Sequence, residues 1–237
     1  MRSMCSNYRP VTREDRLLSF FGVEYRGALE DRDTYPLGTA PFIRLEVEGQ
    51  EGGKPALVAE DGRFGLLPHW TAEYQFGRKT YNARSEAVAS KPAFRDAWKR
   101  AQRCIIPAEY IYEPCWETGK AVRWRIYRPG DVPMGIAGLY TQWKNPEGQW
   151  LYTFAMLTVN ADGQVLMSRM HRPEDEKRMV VILDEHEFGP WLTCSLVEAP
   201  RYFRQYPGQL LGFADPPRGR GEAAAPPPVP PAQGELL

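Results

Sequence analysis

The sequence predicts an α+β fold: a single β-rich domain built on a barrel-like antiparallel or mixed sheet, with a few flanking helices. Three observations carry this expectation. Short stretches in which apolar and polar residues alternate recur along the chain, separated by Gly- and Pro-containing turns. Helical patterns are few and short. The length of 237 residues, with 43% hydrophobic and 25% charged residues, suits one large domain with a tail.

Taken in order, residues 9–35 are polar and charged, with one apolar patch at 17–21. Residues 39–47 place Ile43, Leu45 and Val47 on one face and Arg44 and Glu46 on the other, a half-buried strand. Gly52-Gly53-Lys54-Pro55 turns the chain into a second short strand at 56–59. Phe64-Gly65-Leu66-Leu67-Pro68-His69-Trp70 is aromatic and punctuated by Gly and Pro, so it reads as a loop. Ser90 is placed to cap a helix with Pro92 in its first turn and Phe94 and Trp98 on one face. Cys104-Ile105-Ile106-Pro107 reads as a buried strand ended by proline. Residues 122–127 alternate again, and 134–143 with 149–159 form a hairpin about Asn145-Pro146-Glu147-Gly148. Residues 178–183 read as one further strand, and a short helix surrounds Trp191. From Asp215 the composition breaks into a Pro-, Ala- and Gly-rich run that cannot bury a core, dividing the chain into a domain at 1–214 and an extended tail at 215–237.

Composition excludes several classes. No apolar run approaches the ~20 residues of a membrane span, and no secretory signal pattern precedes the body. The four cysteines (Cys5, Cys104, Cys115, Cys194) are far apart and the three histidines do not cluster, which argues against a zinc site and for a reduced, cytoplasmic protein. The net charge of zero gives no global electrostatic case for nucleic acid. The basic residues are 23 Arg against seven Lys; arginine suits bidentate phosphate contacts, and coding bias produces the same skew.

The residues that can carry chemistry begin at the start of the chain. Met4 directly precedes Cys5. With translation from Met4 and removal of the initiator, Cys5 becomes the N-terminus; with translation from Met1, it is internal. An N-terminal cysteine carries an α-amine (pKa ~8) and a thiol (~8.5) on adjacent carbons, a pair that closes on an aldehyde as a thiazolidine. Glu113 lies among Tyr110, Tyr112, Pro114 and Trp116, where partial desolvation raises a carboxyl's pKa and fits it for proton transfer. His171 falls between two strands, where a loop presents it, and Asn82 is placed to orient an amine or a substrate oxygen. Arg84 suits a phosphate or a salt bridge to Glu86, and Trp70 suits an unpaired base. Each also has an ordinary reading: a terminal residue for Cys5, a structural acceptor for Glu113, an exposed loop residue for His171, a turn former for Asn82, and core packing for Trp70.

Six blocks in order narrow these alternatives: the early Met4-Cys5, the loop 64–70, Asn82-Ala83-Arg84-Ser85-Glu86, the run 103–113 ending in Tyr112-Glu113, Ala137-Gly138-Leu139-Tyr140, and His171 followed by Arg178-Met179-Val180-Val181-Ile182-Leu183. Together they resemble the SRAP family (SOS-response-associated peptidase domain) over about residues 4–195. The resemblance implies one β-rich domain that binds single-stranded DNA and captures abasic sites covalently. It implies Cys5 as crosslinking nucleophile, Asn82 as the residue positioning it and the opened sugar, Glu113 as acid/base, and His171 as the residue assisting ring opening and proton transfer. Arg84 matches a phosphate-binding arginine, and Leu67, Pro68 and Trp70 belong to the loop facing the strand and its junction with duplex. Autoproteolytic exposure of the cysteine follows from the same residues. The implied partner is single-stranded DNA containing abasic sites, bound by a monomer that is cytoplasmic and nucleoid-associated on DNA, with no metal and no organic cofactor.

The sequence also departs from the family pattern. Ser6-Asn7 follows Cys5 where the family has Gly-Arg, Pro114 replaces a tryptophan, Val180 replaces a proline, and Arg172-Pro173-Glu174-Asp175-Glu176-Lys177 is inserted after His171. Two other functions stay open on this evidence: a non-crosslinking single-stranded DNA-binding module, and a thiol peptidase acting in trans with Cys5 as nucleophile and His171 as base.

Overall fold

One long strand organises the sheet. The computed structural model describes residues 6–27, 29–46 and 55–215. In chain order these form β1 (Asn7–Pro10), α1 (Glu14–Phe21), β2 (Thr39–Glu46), β3 (Ala56–Phe64), β4 (Asn82–Arg84), α2 (Arg95–Lys99), β5 (Arg103–Cys115), β6 (Val122–Tyr127), β7 (Met134–Lys144), β8 (Trp150–Asn160), β9 (Arg178–Val180), β10 (Ile182–Leu183), α3 (Phe188–Thr193) and β11 (Leu211–Ala214). Five of the strands close on themselves, β5 to β7, β7 to β8, β8 to β3, β3 to β2 and β2 back to β5. All these pairings are antiparallel except β3 with β8, so the expected barrel-like sheet is present and mixed. Closure removes exposed edges and gives one continuous core.

That core is aromatic on the β2–β3–β8 side, where Phe42, Phe64 and Phe154 are fully buried and pack at 5.7 Å ring separations about Phe154. Truncating one such phenylalanine to alanine costs ~3–5 kcal/mol. Gly62 makes room for them, since a Cβ there would lie 2.8 Å from the Phe154 ring and 2.9 Å from Phe42.

β5 departs from the expected short strand ended by Pro107. It runs through both Pro107 and Pro114, because proline removes only its own N–H and its fixed φ is compatible with extended backbone. The Pro107 carbonyl still accepts from Val11 N at 3.1 Å. One edge of β5 is met by β7 and then β6; the other is met by β2 at Ile105, by β1 over 108–112, and finally by Met170 and His171.

Other expectations are redrawn. Residues 178–183 are two strands rather than one: β9 pairs with β8 and β10 with β7, with Val181 bridging Leu157 and Ala137 between them. Ser90 does not cap a helix. Its Oγ turns back to the Ala87 carbonyl, and α2 starts at Arg95 with Phe94 and Trp98 sharing its buried face. The polar stretch 9–35 contains β1 and α1, whose Leu17 and Phe21 face the core and whose C-cap is Gly22 at φ 68°. β3 extends to Phe64, well past the expected 56–59. The hairpin β7–β8 and the helix about Trp191 stand as expected.

The domain's C-terminal end is tied down by Asp215, whose carboxylate meets Arg125 at 2.6 Å and whose N–H meets the Arg123 carbonyl. The expectation for the rest of the tail lies outside the described residues. Among the described residues no helix is long and apolar enough to cross a membrane.

Candidate functional site

Glu113 sits near the C-terminal end of β5, and Glu113 and His171 are brought together there. The carboxylate Oε2 lies 2.9 Å from the imidazole Nε2, with the two residues 2% and 3% exposed. His171 is in a loop, as expected, but the loop does not present it to solvent. Its N–H donates to the Pro114 carbonyl at 2.7 Å, Met170 bridges Cys115, and its backbone takes φ 62°. This left-handed bend turns the ring inward onto Glu113. Burial alone favours the neutral ring. The negative charge and hydrogen bond of Glu113 outweigh it and hold the His171 pKa above its ordinary value. An imidazole hydrogen-bonded to a buried carboxylate is a group that can give or take a proton in acid–base chemistry. The imidazole Nδ1 is buried and has no hydrogen-bond partner among the described residues.

The opposite edge position from β6 is informative. β1 pairs with β5 only as far as Asn7 opposite Tyr112, and His171 takes over at Pro114. Glu113 lies between these two, one position beyond the Asn7–Tyr112 pair. Cys5 itself lies outside the described residues.

A second group lines a cleft of about 500 Å³ between the loop after β3, β4 and the approach to α2. Asn82 and Arg84 enter it from β4, which runs parallel to β8 with Asn82 opposite Met156. Asn82 is buried, 8% exposed. Trp70 forms the wall, 49% exposed, with its ring edge-on to Phe76 at 5.2 Å. Gly65 shapes this wall: it has φ 132°, and a Cβ there would lie 2.4 Å from the Gly77 carbonyl oxygen. An exposed tryptophan above an apolar floor edged by Lys79, Lys91 and Arg84 is suited to a flat, anionic ligand.

Of the loop residues expected to face DNA, Trp70 is half-exposed on the cleft and Leu67 is not exposed. Leu67 is fully buried, its N–H bound to Thr153 Oγ1 and its carbonyl to Thr141 Oγ1, both at 2.9 Å. That threonine pair pulls the loop under the sheet at Leu67 and Pro68, which are buried, and releases it at His69 and Trp70.

Arg84 is not held mainly by Glu86, which lies 4.0 Å away; its guanidinium meets Glu176 at 2.8 Å. Glu86 serves Arg178 instead. Arg178, 2% exposed, takes Glu86 through both oxygens at 2.7 and 3.0 Å, Glu176 at 2.8 Å, and the Thr158 carbonyl and hydroxyl. These contacts hold the Glu176 carboxyl below the usual range, first through the Arg178 hydrogen bond. The inserted segment thus reaches both groups: Glu176 touches Arg84, and Lys177 Nζ touches the carbonyls on either side of His171. Sequence reasoning saw this segment only as an acidic insertion, and it missed Phe76, which a tryptophan six residues earlier in a Gly-punctuated stretch was the one signal for. Among the described residues there is no group of His, Cys, Asp and Glu side chains able to hold a metal ion.

Comparison with known proteins places this geometry in a family. Residues 4–213 match the model of the SOS response associated peptidase family. The chain belongs to the SRAP family. A Bacillus subtilis protein named abasic site processing protein YoqW is 36% identical over 194 residues, covering 80% of each chain. Abasic site processing protein HMCES of Gallus gallus is 29% identical, covering 75% of this chain and 58% of that protein. A crystal structure of a Bordetella bronchiseptica protein superposes with a TM-score of 0.80 at 36% identity, covering 89% of this SRAP chain and 99% of that one. A Bacteroides thetaiotaomicron protein shares the fold, with a TM-score of 0.72 at 20% identity.

Proposed function

We propose that this protein processes abasic sites in single-stranded DNA, capturing the opened sugar through Cys5. The observation that carries the reading is the buried Glu113–His171 pair next to the Asn7–Tyr112 pairing of β1 with β5. Asn7 follows Cys5 by two residues, and two residues span at most about 7 Å, which supports Cys5 as the nucleophile served by that pair. The names of the relatives, abasic site processing proteins, support the same substrate.

The chemistry balances without a metal, oxidant or reductant. An abasic deoxyribose opens to an aldehyde. The Cys5 α-amine adds to that carbon and a molecule of water leaves, forming a Schiff base. The thiol then adds to the same carbon, its proton passing to nitrogen, and the thiazolidine is complete. Protonating the departing hydroxyl and deprotonating the amine are steps for which an imidazole held above its ordinary pKa and its carboxylate partner are suited. Asn82 and Arg84 line the cleft that Glu176 and Lys177 connect to the His171 loop, and are suited to bind the sugar and a phosphate, and Trp70 gives an unpaired base a face to stack on. Exposure of Cys5 as the N-terminus, by initiator removal or by hydrolysis of the peptide bond before it, precedes the reaction.

The test is the intact mass of purified protein, alone and after incubation with an abasic single-stranded oligonucleotide. The expected result is a chain beginning at Cys5 and a stable adduct of protein plus DNA less water, lost in Cys5→Ala while noncovalent affinity is kept. A chain retaining residues 1–4 that binds DNA and forms no adduct overturns the crosslinking reading in favour of a binding module.

A further inference from the structure

The bend at His171 needs something to hold it. Three consecutive carbonyls, those of Met170, His171 and Arg172, turn toward one point, and Lys177 Nζ occupies it at 2.9, 3.1 and 2.7 Å. An ammonium carries three donors on a pyramidal nitrogen, and each finds one acceptor here. The carbonyls bracket the residue whose φ of 62° aims the imidazole at Glu113. The far side of Lys177 is itself fixed, its carbonyl accepting from Ala161 N at 2.8 Å, beside β9 paired to β8. Without the ammonium, three partial negative charges converge on one point, and the left-handed turn keeps only its backbone ties to β5, the His171 N–H to the Pro114 carbonyl and the Met170–Cys115 bridge.

We propose that Lys177 is a positioning residue, holding the 170–172 backbone so that the His171 imidazole stays locked on Glu113. It touches no reacting atom; it acts through His171. The inference rests on the abasic-site reading for its kinetic consequence, while its structural consequence stands apart from that reading. An arginine does not replace this lysine, because a planar fork cannot direct three donors to three carbonyls around one point.

The experiment compares wild type, Lys177→Met and Lys177→Arg in the full chain. The first readout is an NMR titration of the His171 imidazole, which needs no DNA. The charged groups facing this ring are Glu113, Lys177 and Asp175. Lys177→Met loosens the ring from Glu113, so the carboxylate's raising effect weakens, the His171 pKa falls toward its ordinary value and its signals broaden. Loss of the Lys177 charge alone would instead raise the pKa of a ring still held in place. The second readout is the crosslinking rate at saturating abasic oligonucleotide, which falls by roughly tenfold to a hundredfold, the scale on which small misplacements act. The dissociation constant for an oligonucleotide carrying an unreactive tetrahydrofuran abasic analogue stays within about twofold, because no described contact of Lys177 leads to the cleft. Lys177→Arg recovers only part of the rate. An imidazole titration in Lys177→Met that is unchanged or moves upward with sharp signals overturns the proposal, as does a rate loss matched by an equal loss of affinity. If Lys177→Met fails to fold, Lys177→Arg decides alone, and a wild-type titration and rate in that variant overturn it. Failure of the abasic-site reading shows differently, as absence of adduct in wild type with the imidazole shift intact.

Discussion

Replacing Glu113 with Gln isolates the charge of the buried pair while keeping its shape. The amide oxygen still accepts from the imidazole at the 2.9 Å position, so packing around two residues that are 2% and 3% exposed is preserved. What is lost is the difference between a charge-assisted hydrogen bond, ~1.5–3 kcal/mol net, and a neutral one, ~0.5–1.5, or about 1–1.5 kcal/mol. For a domain of this size that lowers Tm by roughly 2–6 °C. The loss depends on pH with a definite sign. Glu113 holds the His171 pKa above its ordinary value, so the pair's stabilisation is fully present below the unfolded histidine value of about 6.5 and fades as pH rises through the raised one. In Glu113→Gln burial acts unopposed by that carboxylate, the ring titrates lower, and stability rises with pH instead. The Tm difference between the two proteins is therefore largest near pH 6 and shrinks toward pH 8.5. Thermal melts across that range, with crosslinking rates on an abasic oligonucleotide at each pH, read both effects. The rate is expected to fall by about 10²-fold or more, the scale of a lost general acid–base group. A Tm difference that does not vary with pH, together with an unchanged rate, would refute the proton-sharing argument and leave Glu113 a structural acceptor.

Three further outcomes follow from the cleft and its ion pairs. Trp70→Ala removes an exposed stacking face and should weaken binding to single-stranded DNA by ~1–3 kcal/mol, read by fluorescence anisotropy; equal affinities would take Trp70 out of the interface. Glu176→Gln releases Arg84 from its 2.8 Å partner, so noncovalent affinity should rise and the logarithmic salt dependence steepen by about 0.7, and an unchanged slope would show that Arg84 meets no phosphate. Arg178→Met leaves the Thr158 carbonyl and hydroxyl without their donor and releases the half-exposed Glu86, and should cost ~1–3 kcal/mol in urea unfolding, with a loss below ~0.5 kcal/mol counting against the network.

The strands are legible where apolar and polar residues alternate, even though the two faces differ less than the pattern suggests. Residues 39–46 form a strand buried on both faces from Ala40 to Arg44, whose guanidinium is paired with Glu46 and Glu60. Residues 122–127 form one that is half-exposed except at Ile126, and the hairpin 134–159 is announced by its turn. The sequence was less clear where tertiary partners decide. Pro107 looked like a terminator, yet in β5 only its missing N–H matters, and its carbonyl is still used. Residues 178–183 read as one strand because nothing local marks the change of partner at Val181. α1 was readable in principle: Leu17 and Phe21 stand four apart and Gly22 follows, but eight residues give a weak period. At the site, the Glu113 and His171 identities came from ordered motifs, and their contact did not, since 58 residues separate them. Arg84 was assigned Glu86 as its neighbour along the chain, whereas Glu86 folds back to Arg178 and the inserted Glu176 takes its place. Leu67 was misread because the threonines that bury it lie on two other strands.

The flanks of β5 bear on how the site responds to heat. Around Glu113 the strand is bonded to β6 along one side and, on the other, to β1 just before it and to His171 just after it. A segment bonded on both sides exposes its amides only when β5 parts from its neighbours, and because the same strand is a stave of the closed barrel farther back, their hydrogen exchange should track global unfolding. The imidazole half of the pair, by contrast, hangs on a loop joined to that strand by few bonds, and its amides should exchange through smaller openings. The carboxylate would then keep its place until the barrel melts, while the histidine comes and goes beneath that temperature. Activity in this protein should accordingly fade on warming before the fold does, and the width of that interval measures how firmly one loop is fastened to one strand.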